Sequence, residues 1–183
     1  MDDPNQARAD GLDYAELKRD VERSDFDTDE LARRLSDGWA ASYQAGTRGP
    51  HELVEIDQGS LTYLFDIANQ RVVGVYGHSD ATKRPYPAGR MRGFPLPGSR
   101  RGLIRGHLAA HSIGGGTDIN LIPQDQALNI SRRWRRLERR AQANPGSFVA
   151  VEVTYDDEGQ TPMAFVYLVV ADGRVEYERF ENG

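Results

Sequence analysis

Arg105-Gly106-His107-Leu108-Ala109-Ala110-His111-Ser112-Ile113-Gly114-Gly115-Gly116-Thr117-Asp118-Ile119-Asn120-Leu121-Ile122-Pro123-Gln124-Asp125-Gln126-Ala127-Leu128-Asn129-Ile130-Ser131-Arg132-Arg133-Trp134-Arg135-Arg136-Leu137-Glu138 is the stretch on which the reading of this chain turns. Leu103 and Ile104 lead into His107 as a short strand. Gly114-Gly115-Gly116 marks a loop or a close backbone approach. No Lys-Ser/Thr follows those glycines, which argues against a nucleotide phosphate loop. After Asn129, the spacing of Ile130, Trp134, Leu137 and Ala141 predicts a helix with one apolar stripe, stopped by Asn144-Pro145-Gly146.

On either side the pattern changes character. Residues 12–23 place Tyr14, Leu17 and Val21 on one helical face. A second helix opens at Asp27, with Glu30 three residues on in a capping-box pattern. Leu31, Leu35 and Trp39 form its stripe. From Glu52 the period becomes two. Leu53, Val54 and Ile56 precede an Asp57-Gln58-Gly59 turn, and residues 60–67 and 71–76 form a hairpin around Ala68-Asn69-Gln70. Residues 79–103 read as a long loop rich in Gly, Pro and Arg, a length that favours a functional role. Strands are expected at 148–155, 162–170 and 174–180, with turns at Asp157-Glu158-Gly159 and Asp172-Gly173. Strands and helices that do not alternate predict an α+β fold: an antiparallel sheet with N-terminal helices packed against it. The expected division is an acidic helical segment over residues 1–50 and a second unit over 51–183, with residues 1–11 polar and without fixed structure.

The 183 residues carry a net charge of −5, but unevenly. Residues 83–140 hold 13 basic and three acidic side chains, so that block is +10 and the remainder −15. A positive stripe on an acidic body is the footprint of a phosphate-binding surface. There are no cysteines, which excludes disulfides, thiolate metal sites and a thiol nucleophile. No apolar run reaches membrane-spanning length, and the acidic, polar N-terminus predicts no signal peptide. Neither a Ser-His-Asp order nor a zinc-type His/Cys spacing is present. Trp39 and Trp134 read as core anchors, and His51 and His78 carry no motif.

Taken together, Arg105-Gly106-His107, Asn120-Leu121-Ile122-Pro123-Gln124, Leu128-Asn129 and Trp134-Arg135-Arg136-Leu137-Glu138 resemble the active-site segment of the DNA/RNA non-specific endonucleases, the ββα-metal or His-Me finger nucleases. The pattern is most similar to the toxin-type branch of that family: Gly-His-Leu, a Gly-Gly pair, Asn-Leu-Val-Pro, then Leu-Asn and a Trp-bearing helix. The resemblance covers about 35 residues, is weaker over the flanking strands and is absent over the first 50 or so. It implies a ββα-metal finger core and a phosphodiester hydrolase dependent on one Mg²⁺ or Mn²⁺ ion.

By that resemblance His107 is the general base, Asn129 holds the ion, and Glu138 binds the ion or orders water beside it. Arg105 has the forked donors to clamp a phosphate. Arg101, Arg135, Arg139 and His111 are the candidate substrate-binding residues. Asn120 reads as a loop brace. The sequence also departs from the family. Ile104 stands where an acidic residue often precedes the Arg, His111 where many toxin-type relatives have Asp, and Gln142 where an Arg falls one turn after the Glu, a place Arg135 or Arg139 can take. The nine-residue interval from Asn129 to Glu138 is one longer than usual. In an unbroken helix nine residues turn a side chain about half a revolution away, so the extra residue has to be absorbed before the helix, with Ser131 as its N-cap.

The expected function is a sequence-non-specific nuclease, the toxin domain of a secreted interbacterial effector acting in a target-cell cytoplasm. Its partners would be DNA or RNA and a cognate acidic immunity protein. Two other classes compete: a nuclease fold that has lost catalysis and holds nucleic acid or a protein, and an acidic protein that mimics DNA. Plasmid degradation with and without Mg²⁺ separates the first two, and the third binds no nucleic acid.

Overall fold

Asp27 starts the long N-terminal helix by accepting a hydrogen bond from the Asp29 backbone N–H at 3.0 Å, and the stripe Leu31, Leu35, Trp39 and Tyr43 that follows is buried. The computed structural model describes residues 11–23, 27–80, 101–156 and 159–183. The capping box is half formed: Glu30 turns to Arg33 (2.7 Å) instead of reaching back to the cap. Helices α1 (Tyr14–Arg23) and α2 (Thr28–Gly46) lead into strands β1 (Leu53–Gln58), β2 (Leu61–Asp66) and β3 (Arg71–His78). A hairpin, β4 (Leu103–His107) and β5 (Leu121–Asp125), is followed by the short α3 (Gln126–Asn129) and by α4 (Arg132–Ala143). Strands β6 (Phe148–Thr154), β7 (Ala164–Ala171) and β8 (Arg174–Glu181) complete the described elements.

The architecture is α+β. Six strands form an antiparallel sheet in the order β1-β2-β3-β6-β7-β8, and β4 pairs with β5 alone. Opposed residues of an antiparallel pair share a face, so the register assigns the two sides of the sheet. On one side, Tyr14 of α1 donates to Glu152 Oε2 (2.7 Å), stacks on Tyr177 (5.6 Å) and accepts from Trp39 Nε1 (2.8 Å). On the other, Trp134 of α4 meets Phe165, Tyr167 and Phe180 edge-on at 5.7, 5.0 and 5.2 Å. The interior strand β7 is therefore covered on both faces, which is why it reads Ala-Phe-Val-Tyr-Leu-Val-Val-Ala without polar alternation. The N-terminal helices and α4 sit on opposite sides of the sheet.

Several expectations need correction. β1 continues through Asp57 and Gln58, assigned to a turn by sequence, because Gln58 still pairs with Leu61 and Asp57 accepts from Thr62 Oγ1 at 2.7 Å. Strand β5 and helix α3 carry no periodic signature and were not expected. Ile130 does not belong to the α4 stripe. It lies in the break between α3 and α4 and is 53% exposed, while Trp134, Leu137 and Ala141 are buried. The expected loop over 79–103 falls largely outside the described residues, as do its Arg84, Arg90, Arg92 and Arg100 and the polar residues 1–10. No helix among the described residues is long and apolar enough to cross a membrane.

Candidate active site

The site grows from the β4–β5 hairpin and the helices that follow it. His107 is the last residue of β4, opposite Leu121. Arg105 lies two residues earlier, so the strand's alternation returns it to the His107 side, where it is exposed. The half-buried His107 ring has no hydrogen bond among the described residues, and its Nε2 is buried without a partner. Burial, and then the charge of His111, hold its imidazole below the ordinary histidine range. His111 stands in a short 3₁₀ turn (His111–Ile113), half-buried, with Nδ1 3.3 Å from the Gly115 carbonyl oxygen and within electrostatic reach of His107.

The loop between β4 and β5 is held from inside. Asn120, fully buried, accepts from the Ala109 N–H (2.8 Å) and donates to the carbonyls of Ala109 (2.9 Å) and Gly116 (2.8 Å). This is the bracing role that the sequence reading gave it. Gly115 must be glycine: a Cβ there would lie 1.9 Å from the Ala109 carbonyl oxygen. The glycine run is a close backbone approach.

Asn129 closes α3. Its Nδ2 donates to Gln124 Oε1 at 2.7 Å, and among the described residues its carbonyl oxygen has no donor. Gln124, fully buried in β5, lies across Gly106, where a Cβ would come within 2.1 Å of Gln124 Oε1. Thus Gly106 makes the space that Gln124 fills, and Gln124 fixes the amide of Asn129. Asn129 is not a helix cap. The cap of α4 is Ser131, whose Oγ accepts from the Trp134 N–H at 3.2 Å, and the chain breaks between α3 and α4 at Ile130 and Ser131.

Glu138 lies one turn after Trp134 and accepts from its indole N–H at 2.9 Å. Burial raises the Glu138 carboxyl above the ordinary range, against the lowering effect of Trp134, Arg135 and Arg139. The six arginines of α4 divide between two faces. Arg133, Arg136 and Arg140 are committed to β8: Arg133 pairs with Glu178, Arg140 with Glu176, and Arg136 lies 3.6 Å from Glu178 and 3.8 Å from Glu176. Arg132, Arg135 and Arg139 share the other face at helical spacing and are exposed, without a salt bridge among the described residues. Arg101 is exposed in the turn before β4.

The structure brings these side chains together in three groupings: His107 with His111, Asn129 with Gln124, and Glu138 with Trp134, Arg135 and Arg139. Among the described residues no hydrogen bond joins one grouping to the next. Sequence reasoning gave no role to Gln124, although a Gln in the otherwise apolar run Leu121-Ile122-Pro123 was the available signal. It also took Trp134 for packing alone, whereas its indole N–H binds Glu138.

Among the described residues no three His, Cys, Asp or Glu side chains gather as a metal cage. A hard divalent ion that keeps most of its waters needs only one or two protein oxygens. The side-chain carbonyl oxygen of Asn129, undonated among the described residues, and the Glu138 carboxyl are oxygen donors of that chemical kind.

Residues 68–172 match the DNA/RNA non-specific endonuclease family, a span that holds β4, β5, α3 and α4 together with β6 and β7. No curated protein sequence matches the chain.

Proposed function

The chain belongs to the DNA/RNA non-specific endonuclease family, and from that premise we propose a metal-dependent nuclease that cuts DNA or RNA without regard to sequence, with His107 as its general base. Family membership makes nucleic acid the substrate class and phosphodiester hydrolysis the reaction. The observation that carries the assignment to His107 is its buried, partnerless Nε2, on the same side of a strand as Arg105. Burial keeps the ring neutral near pH 7, the form that removes a proton. In this reading Nε2 takes the proton from a water as its oxygen bonds to phosphorus, and the bond from phosphorus to the departing sugar oxygen breaks. Arg105, Arg101, Arg135, Arg139 and His111 hold the phosphates on either side. Asn129 and Glu138 would hold the divalent ion, which supplies Lewis-acid stabilisation of the phosphate oxygens and the departing oxygen. Gln124 positions Asn129.

The hairpin β4–β5 with α3 and α4 is, on this reading, the ββα-metal core. Residues 51–183 carry the chemistry, and the acidic helices within 1–50 brace the far side of the sheet. We assign the protein to the toxin-type branch: the warhead of a secreted effector acting in a target-cell cytoplasm, neutralised by an acidic immunity protein. The sequence pattern and the absence of cysteine support this, and a surface that attracts phosphates also attracts carboxylates.

The test uses plasmid, two unrelated linear duplexes and an RNA, each incubated with the protein in Mg²⁺ and in chelator. Mg²⁺-dependent loss of the duplexes at equal rates supports the reading. Binding without cutting in any condition replaces it with a catalytically silent nucleic-acid-binding module.

A further inference from the structure

Asn182 follows β8, is 2% exposed, and has every polar group of its side chain in use. Its Oδ1 accepts from the Asp125 N–H at 2.8 Å, and its Nδ2 donates to the carbonyls of Pro123 (3.0 Å) and Pro162 (2.8 Å). Its own N–H donates to the Met163 carbonyl at 2.8 Å. The Pro123 carbonyl and the Asp125 N–H belong to the two peptide units that flank Gln124 in β5. By donating to one and accepting from the other, the Asn182 amide does for that edge of β5 what a neighbouring strand would. The β4–β5 hairpin, which pairs with no other strand, is thereby fastened to the end of β8 and to the segment before β7.

Peptide units are planar, so holding the two that flank a residue sets its φ and ψ and the direction in which its side chain leaves the strand. Gln124 is the residue whose Oε1 accepts from Asn129 Nδ2 at 2.7 Å. Its own Nε2 is buried without a partner among the described residues, so Gln124 is held by its backbone and by the space over Gly106. Asp125 supplies a second link: its Oδ1 accepts from the Leu128 N–H at 2.8 Å and caps α3, the helix that ends at Asn129. Both supports of Asn129 start from peptide groups that Asn182 grips.

We propose that Asn182 is a positioning residue: by clamping the backbone on both sides of Gln124 it sets, through Gln124 and the α3 cap, the amide of Asn129 for a divalent ion. This rests on Asn129 belonging to the site. Asn182 touches neither substrate nor ion, and it lies beyond the residues 68–172 that match the family. Groups that orient the ligands of an ion typically change its affinity by about 10–100-fold when removed.

Asn182→Leu fills a similar volume and can make none of the side-chain bonds. Asn182→Ala is the second variant, and leaves room for water on the freed Pro123 and Asp125 groups. Tyr155→Phe removes a buried hydrogen bond to the Val72 carbonyl (3.0 Å), away from the site, and controls for lost stability. Mn²⁺ binding is measured by the loss of the free-ion electron paramagnetic resonance signal for these three, wild type, Asn129→Ala and the double variant, with thermal unfolding of each. The expected result is a fall in Mn²⁺ affinity of about tenfold or more in both Asn182 variants, and none in Tyr155→Phe. In the Asn129→Ala background the Asn182 substitution should add nothing. Nuclease assays of the Asn182 variants should show a lower kcat with KM for duplex unchanged. If Asn129→Ala weakens Mn²⁺ binding while the Asn182 variants bind as wild type does, the positioning role is overturned and the site stands. An equal loss in Tyr155→Phe, or loss of the fold in both Asn182 variants, makes Asn182 a residue of general stability and also overturns the role. If Asn129→Ala leaves Mn²⁺ affinity unchanged, Asn129 is outside the site and both readings fall.

Discussion

Gln124 holds Asn129: the Asn129 Nδ2 group donates to Gln124 Oε1 at 2.7 Å, and Gln124 is itself seated in the space that Gly106 leaves by having no Cβ. The residue before the candidate base and the candidate ion-binding amide are thereby tied through one side chain. A geometry set in this way is vulnerable at each of its three members.

Gly106→Ala should drive Gln124 aside, since the added Cβ would sit 2.1 Å from its Oε1. Gln124→Leu fills a similar volume and removes the buried Gln124 Nε2 that has no partner, so stability should hold. Both variants should lose kcat by about 10–100-fold with little change in KM for duplex. Steady-state cleavage with circular dichroism as a folding check decides it. An unchanged kcat in Gln124→Leu would mean that Asn129 needs no holding.

The two arginine faces of α4 make opposite predictions. Arg135→Ala and Arg139→Ala should weaken binding to any duplex and lower the slope of log affinity against log salt by about 0.9 for each phosphate no longer neutralised. Arg133→Ala and Arg136→Ala, already paired with Glu178, should leave that slope unchanged. Arg140→Ala should cost roughly 1 kcal/mol of stability through Glu176. Fluorescence titrations across a salt series separate the two faces, and equal slopes for all would show that the α4 arginines do not divide in this way.

Much of this was legible in the sequence where a local rule spoke. The stripe Leu31-Leu35-Trp39 and the caps Asp27 and Ser131 each report a short-range interaction, and all are found. The Gly-His, Asn-Leu-Ile-Pro-Gln and Leu-Asn patterns named the family that residues 68–172 match. What stayed hidden was set by residues distant in the chain. Arg133, Arg136 and Arg140 read the same as Arg132, Arg135 and Arg139 until β8 brings Glu176 and Glu178 under one face. Ile130 looked apolar and helical because the break before Ser131 has no signal in periodicity. Tyr167 is one more apolar residue in β7 until the register turns it towards Trp134.

The acid limb of cleavage should lie below the ordinary histidine value of roughly 6.5. Burial, and then the charge of His111, lower the His107 imidazole, so the neutral base persists as pH falls past that value and is lost only through the lower one. His111→Ala removes the repelling charge and should move the limb upward. A pH profile of kcat/KM for wild type and His111→Ala measures both. A wild-type limb at or above the ordinary histidine value contradicts the burial argument.

Away from the site, Asp66 anchors the β2–β3 turn. Burial alone would raise its carboxyl, but hydrogen bonds from Asn69, the Glu52 N–H, His51 and Tyr43 hold it well below the usual carboxylate range. A carboxyl depressed in the folded state stabilises above the unfolded value of roughly 4, and that stability is lost as pH falls through the folded value. Asp66→Asn should cost roughly 3 kcal/mol near pH 7 and flatten the dependence of stability on pH below 4. Urea unfolding across that range tests it, and parallel curves for the two proteins would remove Asp66 as the acid-sensitive group.

The central claim is that His107 is the base of a metal-dependent nuclease. Single-turnover cleavage of one duplex is measured for wild type and His107→Ala, in Mg²⁺ and in chelator, with duplex affinity measured alongside. The account predicts a loss of about 10²–10⁴-fold in His107→Ala, retained binding, partial recovery with added imidazole, and no cleavage by either protein in chelator. An unchanged rate in folded His107→Ala, or wild-type cleavage indifferent to chelator, would contradict it.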